Sequence, residues 1–555
     1  MPFETFAQTD FAGLREDESP ENLADHELVE ALNCCRNGSS FGTRPGCERE
    51  SAATGNYSAA LASPGAVQGI VDYSLPFTAG IRAASTQLSA VLLVIHQGAV
   101  FTDSGTTLVK AAGVTITSPG ATPNYWTFAQ HKNVLYMAGG ADGDTVNRWP
   151  GSGDVTKVTF QNAAAVDIDA KYIFQKWNYG FLGGMNGTGP EDNPMVVRYS
   201  PLGDMTQWPA GNTIGGTSTI GGFDAYGDNW ITGFADYTDN NGDWLLVLTR
   251  RAIYGVQQYD VPMAPFQVGS KGIVANGCVH QRAFVSLGQD SGDAVYVSEN
   301  GIHTLRQSQQ FGGREDKFLS WKIRQTFANA TKNRLQNSCG AYWPDEGLVL
   351  LAIPFLGGSE NTLLLALDVR GTEELTSENA RWYVWQLAGI SVASITVARD
   401  TNGTNRVYFG TYNGNVLRFT RVTYDDLGTA YAARFVLKHR DYGRGDRLKG
   451  YGDIYTSLRP GGSYKPQLSL LYDRGIRRST PYDLDMPIVT SLWDSSVWDG
   501  ATWSESNQIV TPKQYGEGYG YTLSMEFSHS GANQPFFLTR VVWEAGIVGE
   551  SGGDV

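Results

Sequence analysis

The sequence predicts an all-β protein: a β-propeller of six or seven irregular blades, with a helical N-terminal arm and a sandwich-like C-terminal β domain. Three observations carry this reading. Glycine (66 of 555 residues) and aromatic residues (27 Tyr, 24 Phe, 14 Trp) are plentiful and methionine is sparse, the pattern of many turns joined by aromatic and β-branched runs. From about residue 90 a unit of strand, tight turn and strand recurs along the chain. After Thr423 the segments lengthen and alternate apolar with polar residues, as sandwich strands do. The implied division is 1–50 for the arm, 51–423 for the propeller and 424–555 for the C-terminal domain.

In the arm, Ser19 suits a helix N-cap and Pro20 its first turn. Ala24, Leu28, Ala31 and Leu32 then fall on one apolar stripe, and Gly38 suits a left-handed stop. This places Cys34 and Cys35 in the last helical turn. So short a helix does not hold alone, so Leu28 and Leu32 are expected to clamp a neighbouring domain or subunit.

The recurring units are 91–105, 134–149, 179–201, 244–260, 294–307, 348–370 and 406–420. Asn300-Gly301 and Asn413-Gly414 suit type I′ hairpin turns, whose central residues both need positive φ. A short amphipathic helix is expected within 314–336, where Leu319, Ile323 and Phe327 share a face. In the C-terminal domain Trp493, Trp498 and Trp503 recur every five residues, which fits neither helix nor strand. They read as a looped segment whose rings plug a partner or the local core.

The formal charge of −14 argues against sequence-reading of nucleic acid, which needs a basic face. The charge is uneven. Residues 1–32 are strongly acidic and 434–478 are net basic, a pattern that reads as solvated loops and strand edges. The N-terminal "MPFETFAQTDFAGL" has neither the basic nor the apolar region of a secretion signal, and the apolar run 88–95 is far short of the ~20 residues of a membrane span. A chain made in the reducing cytosol, with free thiols and no membrane insertion, is expected.

The search for chemistry yields little. Cys34, Cys35 and Cys47 lack the further ligands of a zinc site, and no CxxC redox pair exists. "DYTDNNGDW" (236–244) misses the frame of a calcium loop and reads as a polar hairpin. A propeller glycoside hydrolase would need carboxylates at the tunnel mouth. Asp142, Asp144, Asp239 and Asp243 are available, but all lie in turn contexts that favour Asp anyway. No nucleophile elbow or phosphate loop is present. No catalytic centre, cofactor or metal is expected.

The stretch "DFAGLREDESPENLADHELVEALNCCRNGSSFGTRPG" (10–46) resembles the entry segment of tail nozzle proteins of short-tailed bacteriophages, also called tail tubular protein B. Phe11, Gly13, Leu14, Ser19, Pro20, Leu28, Asn33, Arg44, Pro45 and Gly46 carry the resemblance. "KFLSWKIRQTF" (317–327) and the closing "YGYTLSMEFSHSGANQPFFLTRVVWEAG" are similar to further parts of the same proteins. The Cys34-Cys35 pair is outside the pattern. The resemblance implies a virion structural protein without an active site, made in the host cytoplasm. It would form a ring, usually a hexamer, at the distal end of the tail. That ring docks on a tail adaptor ring and encloses the channel through which DNA passes without specific binding, with tail fibres or spikes attached near the junction. Leu28, Leu32, Arg44, Pro45, Trp493, Trp498 and Trp503 are the expected interface residues. A receptor-binding tail-tip protein and a propeller glycoside hydrolase are the rival expectations.

Overall fold

The computed structural model describes residues 3–548 except 50–59, 62–64, 75–89, 103–106, 113, 118–123, 140–143, 159–169, 186–194, 210–211, 215–228, 240–241, 259–265, 269–273, 289–292, 308–313, 373–374, 400–402 and 487–508. Strands dominate, as the composition predicts, and the described helical segments are one or two turns long. No helix among the described residues is long and apolar enough to cross a membrane.

Six four-stranded antiparallel sheets stand alone as propeller blades. Their inner strands are Val67–Ser74, Trp126–His131, Ala170–Lys176, Ile231–Asp239, Phe284–Ser286 and Val392–Arg399. A further four-stranded meander runs from Cys339–Trp343 to Arg381–Trp385, between the fifth and the last of these. Its outer edge continues into the C-terminal domain as part of a ten-stranded sheet. The seven inner strands pack against one another in chain order, and the strand at Val392 returns to the strand at Val67. The circle therefore has seven members, six free blades and one fused to the neighbouring domain. The seven recurring sequence units are the second and third strands of these seven members.

The circle is sealed by the N-terminus. Gly46–Arg49 forms the outer strand of the last blade, with Cys47 opposite Phe419. Joining the first and last strands of the propeller in one sheet closes the ring where it would otherwise open.

The helix expected over residues 19–36 does not form. Pro20–Asp25 is turn, Leu28–Leu32 is a strand, and Cys34–Asn37 is a second strand. The apolar stripe was real, but long-range backbone pairing satisfies it better than an isolated helix would. Leu28–Leu32 lies between Ala433–Leu437 and Arg381–Trp385, and so bridges the C-terminal domain and the sixth blade. Asn33, at φ 52°, breaks the chain between the two strands where a helix would have had to continue. Cys34 and Cys35 are consecutive strand residues, so they point to opposite faces. Both are fully buried free thiols, which shows that this strand is covered on both sides.

The C-terminal domain is a sandwich, but it is not made from 424–555 alone. One sheet carries Phe536–Ile547 and Lys449–Pro460, with Glu4–Gln8 and Ser40–Thr43 added from the arm. The other carries Ala433–Leu437, Leu523–His529 and Gln467–Tyr472, with Leu28–Leu32 added. Phe41 of the arm packs edge-on against Phe435 at 5.0 Å, and Phe435 stacks on Phe527 at 5.1 Å. Residues 3–49 are thus structural members of both domains.

In the insertion, Arg314–Phe318 is the outer strand of the fifth blade, and helix is limited to Ser320–Ile323, Arg324–Ala328 and Lys332–Asn337. Leu319, Ile323 and Phe327 are buried on one side, as their spacing predicts. Ile231–Asp239 and Gly242–Thr249, which flank the expected polar hairpin, pair antiparallel, with Asp239 opposite Gly242. The hairpins at Asn300 and Asn413 exist, but neither Asn takes positive φ. Only Gly414, at φ 74°, is left-handed, so the turn there is not type I′.

Candidate functional site

Two places gather polar and charged side chains. The first is the joint between propeller and sandwich, built by the arm. Arg44 is fully buried, and every one of its N–H groups has an acceptor. Nη1 and Nη2 fork onto Asp426 at 3.0 and 2.6 Å, Nη1 also reaches Pro45 O, Nη2 reaches Gln386 O, and Nε reaches Asn33 Oδ1 at 3.1 Å. The guanidinium lies 3.7 Å from the centre of the Tyr431 ring. Asp426 is buried as well and accepts from the Ala388 amide and the Cys47 thiol.

The other residues of the N-terminal pattern serve the same joint. Asn33 Oδ1 also accepts from the Gln386 amide, while its Nδ2 donates to Ala432 O. Leu14 donates its backbone N–H to Trp382 O. At Gly13 a Cβ would sit 2.2 Å from Trp382 N, and at Gly46 one would sit 2.5 Å from Asp425 O, so only glycine permits these approaches. Pro20 O accepts from the His439 amide. Phe11 stacks on Phe41.

Charge is matched in the same region. The acidic arm and the basic 434–478 stretch are not independent solvated surfaces, as expected from sequence, but partners. Glu30 pairs with Arg434, Asp25 with Lys438 (3.2 Å) and Arg440 (3.1 Å), and Glu21 with Arg474. Glu27 is nearly buried between Lys322 (2.8 Å) and Arg15 (3.0 Å). Burial pushes its carboxyl up, but Lys322, the Ala24 amide and Arg15 outweigh this and hold it below the usual glutamate range. Glu16 accepts from the amide and hydroxyl of Thr326, tying the arm to the insertion.

Leu28, Arg44 and Pro45, expected on an interface with another subunit, are therefore buried within the chain, and Leu32 is half-buried. Their partners are the chain's own propeller and sandwich. Trp493, Trp498 and Trp503 lie outside the described residues, as does Asp142.

The second place is the mouth of the propeller on the face where the inner strands begin. Arg282 donates to Ala393 O (2.8 Å) and Asn337 O (3.2 Å) and lies 3.4 Å from the centre of the Tyr125 ring. Tyr125 in turn shares a hydrogen bond of 2.6 Å with Tyr412. These residues belong to the second, fifth, sixth and last members of the circle. Contacts between non-adjacent blades can be made only across the axis, so the central channel is crossed by side chains at this end.

Above this plug opens a cavity of about 720 Å³. Its walls are the starts of the inner strands, the turns after the second strands, and the helical segment at Lys332–Asn337. Lys171, Arg250 and Lys332 line it with Trp230, Tyr172, His280 and Glu299. Glu299, the one carboxylate on this wall among the described residues, is paired with Arg250 at 2.5 Å. Burial, Arg282 and Lys171 push the His280 imidazole well below its usual value. Its Nδ1 accepts from the Arg282 amide, so the proton of the neutral ring is on Nε2.

Of the carboxylates singled out for hydrolysis, Asp243 and Asp144 lie away from this cavity. Asp243 is at the opposite end of the fourth blade, bonded to Lys176 (2.6 Å), Trp177 Nε1 (2.7 Å) and Thr238 (2.9 Å). Burial raises its carboxyl, but these donors outweigh it and keep it ionised. Asp144 is buried and accepts from the amide and hydroxyl of Thr117. The Asp239 backbone pairs in the hairpin, and its side chain lies outside the described residues. No cluster of His, Cys, Asp and Glu able to hold a metal occurs among the described residues.

The fold and joint define a β-propeller protein whose ring is sealed by its own N-terminus. No protein-family model and no curated relative matches the chain. Among solved structures it is similar to YCF48 from Cyanidioschyzon merolae, at 10% identity and TM-score 0.37 over 65% of this chain and 99% of that one. It is also similar to the Nup133 β-propeller domain of Vanderwaltozyma polyspora, at 9% identity and TM-score 0.30 over 63% and 96%. A third is the exo-β-1,3-galactanase of Phanerochaete chrysosporium, at 9% identity and TM-score 0.28 over 81% and 99%. Likenesses this distant carry nothing about function.

Proposed function

We propose that the chain is a non-enzymatic structural component of a short-tailed phage tail, the nozzle ring at its distal end, through which the genome leaves. The observation that supports this best is the common task of the residues that carry the resemblance. Phe11, Gly13, Leu14, Pro20, Leu28, Asn33, Arg44, Pro45 and Gly46 all serve one joint, and at Gly13 and Gly46 a Cβ would meet backbone. A pattern whose members share one structural role is a unit of fold rather than a set of coincidences. Sealing the propeller with the same segment that builds the sandwich gives a subunit suited to mechanical load.

In this reading the ring is made of copies of the chain, usually six, and docks on a tail adaptor ring with fibres or spikes nearby. DNA does not pass through the propeller, whose axis is crossed by Arg282, Tyr125 and Tyr412. It passes through the hole that the copies enclose, and an inward-facing share of the −14 charge on each would repel phosphate at short range. Since Leu28, Arg44 and Pro45 are committed inside the chain, contact between copies falls to other residues. Ile476, Tyr515, Tyr519 and Tyr521 are large, exposed and grouped on the sandwich, and we assign them that role. The test is labelling of intact virions with an antibody to this chain. Label at the distal tip of the tail is the expected result; label on the capsid, or none, would overturn the reading.

A further inference from the structure

We infer that the contact between the arm's first turn and the sandwich is a proton-operated latch, with the His439 ring as the group that releases it in mild acid. The latch is independent of the nozzle reading.

The turn Pro20–Asp25 leads into the strand Leu28–Leu32. It meets the sandwich at His439, whose amide donates to Pro20 O at 3.1 Å. The His439 side chain is buried, and its Nδ1 is shut off from solvent without a hydrogen-bond partner among the described residues. Glu21 of the arm and Arg474 of the turn at 473–476 are the charged groups that face the ring. The Glu21 carboxylate already accepts from Nε and Nη2 of Arg474, the latter at 2.6 Å. The strand neighbours of His439, Lys438 and Arg440, are turned to Asp25.

A neutral imidazole is tolerated here and an imidazolium is not. Protonation gives the ring a second N–H, and at Nδ1 that donor would be buried with nothing to accept it. It would also set a cation beside Arg474, while Glu21 is already engaged by that same guanidinium. Burial and Arg474 outweigh Glu21 and hold the imidazole below its usual value. The ring therefore takes up its proton more readily once it reaches water.

The cover that gives way is the turn. It is held by pairs with one well-exposed member each, Asp25 at 65% and Arg474 at 67%, and such pairs are weak. The rest of the arm is held by the fully buried Arg44–Asp426 pair and by the strand Gly46–Arg49, so the opening is local and the propeller stays sealed. The folded-state value of His439 lies below the ordinary 6.5. The latch is thus at full strength above 6.5 and weakens as pH falls from there towards the folded value. Glu27 and Asp25, on the same part of the arm, are held below their own ordinary values of 4.5 and 3.8, so they stay ionised through this window.

The experiment is hydrogen exchange of the full chain, read by mass spectrometry at about pH 7.5 and about pH 5.5 and corrected for the intrinsic rate at each. Protection of the amides within 19–28 should fall by about threefold or more in acid, while that of 40–49 is kept. His439→Gln should remove the pH dependence, whatever its effect at neutral pH. His26→Gln, which removes an exposed imidazole from the same segment, should leave it in place. A further readout needs no variant: the His439 ring resonance of the wild-type chain should titrate below 6.5. Equal protection of 19–28 at both pH values, a pH dependence that survives His439→Gln or vanishes in His26→Gln, or a His439 titration at or above 6.5 would each overturn the inference.

Discussion

The joint and the propeller mouth use similar residues in opposite ways. At the joint, Arg44 is fully enclosed and all its donors are spent on the chain itself. At the mouth, Lys171, Arg250 and Lys332 stand around an open cavity with an exposed Trp beside them. A buried, fully paired cation fixes one structure, because any rearrangement would strand a charge away from water. Cations that line an open recess stay in contact with water and constrain the fold far less. The first region is where the fold is decided, and the second is where the fold leaves chemistry over.

If this contrast is right, substitutions at the two places differ sharply in cost. The largest effect is expected from Arg44→Met, which leaves Asp426 charged and buried with no counter-ion. Removing one partner of such a pair costs about 3–5 kcal/mol, read as a shift of the urea midpoint. Adding Asp426→Leu should recover a large part of that loss, which separates a stranded charge from mere loss of packing. Gly13→Ala comes next. Its methyl meets the Trp382 backbone, which has no flexible end to move aside, and about 1–3 kcal/mol is expected from the same measurement.

The joint should also respond to pH through Glu27. Its folded-state carboxyl is held below the ordinary value of 4.5, so the stability it adds is present above that value and is lost as pH falls through the lower folded one. Glu27→Gln should be less stable at neutral pH and should show a shallower decline in acid, in melting curves taken across that range. The smallest effects belong to exposed groups. Glu21→Gln loses a surface pair with Arg474 and should shift the urea midpoint less than any variant above, with no shift left in high salt. Trp230→Ala should change stability by no more than about 0.5 kcal/mol, since that ring is not part of the core. A large loss there would erase the distinction between the two regions.

Much of the propeller was legible in the sequence for a local reason. In the first, fourth, fifth and last members the second and third strands are joined by two to four residues between apolar runs, so each of these pairs announces itself locally. The inner strands were not called. Phe284–Ser286 is three residues long, and Ala170–Lys176 alternates too weakly to separate from a loop. The arm misled because a stripe at helical spacing and a strand gripped on both edges differ only in their partners. Leu437 and Val384, which pair with the arm, lie hundreds of residues away. The charge asymmetry between 1–32 and 434–478 was visible, yet the same separation hid the fact that the two stretches meet. The mouth was missed for a related reason: Lys171, Trp230, Arg250 and Lys332 come from distinct turns over 160 residues, and the one local sign is that several sit at the ends of strands on the same face.

The measurement that bears most directly on the account is the mass of the purified chain by light scattering, alone and after addition of the tail adaptor ring. A ring of copies predicts a mass near six times 60.3 kDa, alone or on the adaptor. A particle that stays at 60.3 kDa in both conditions would contradict it.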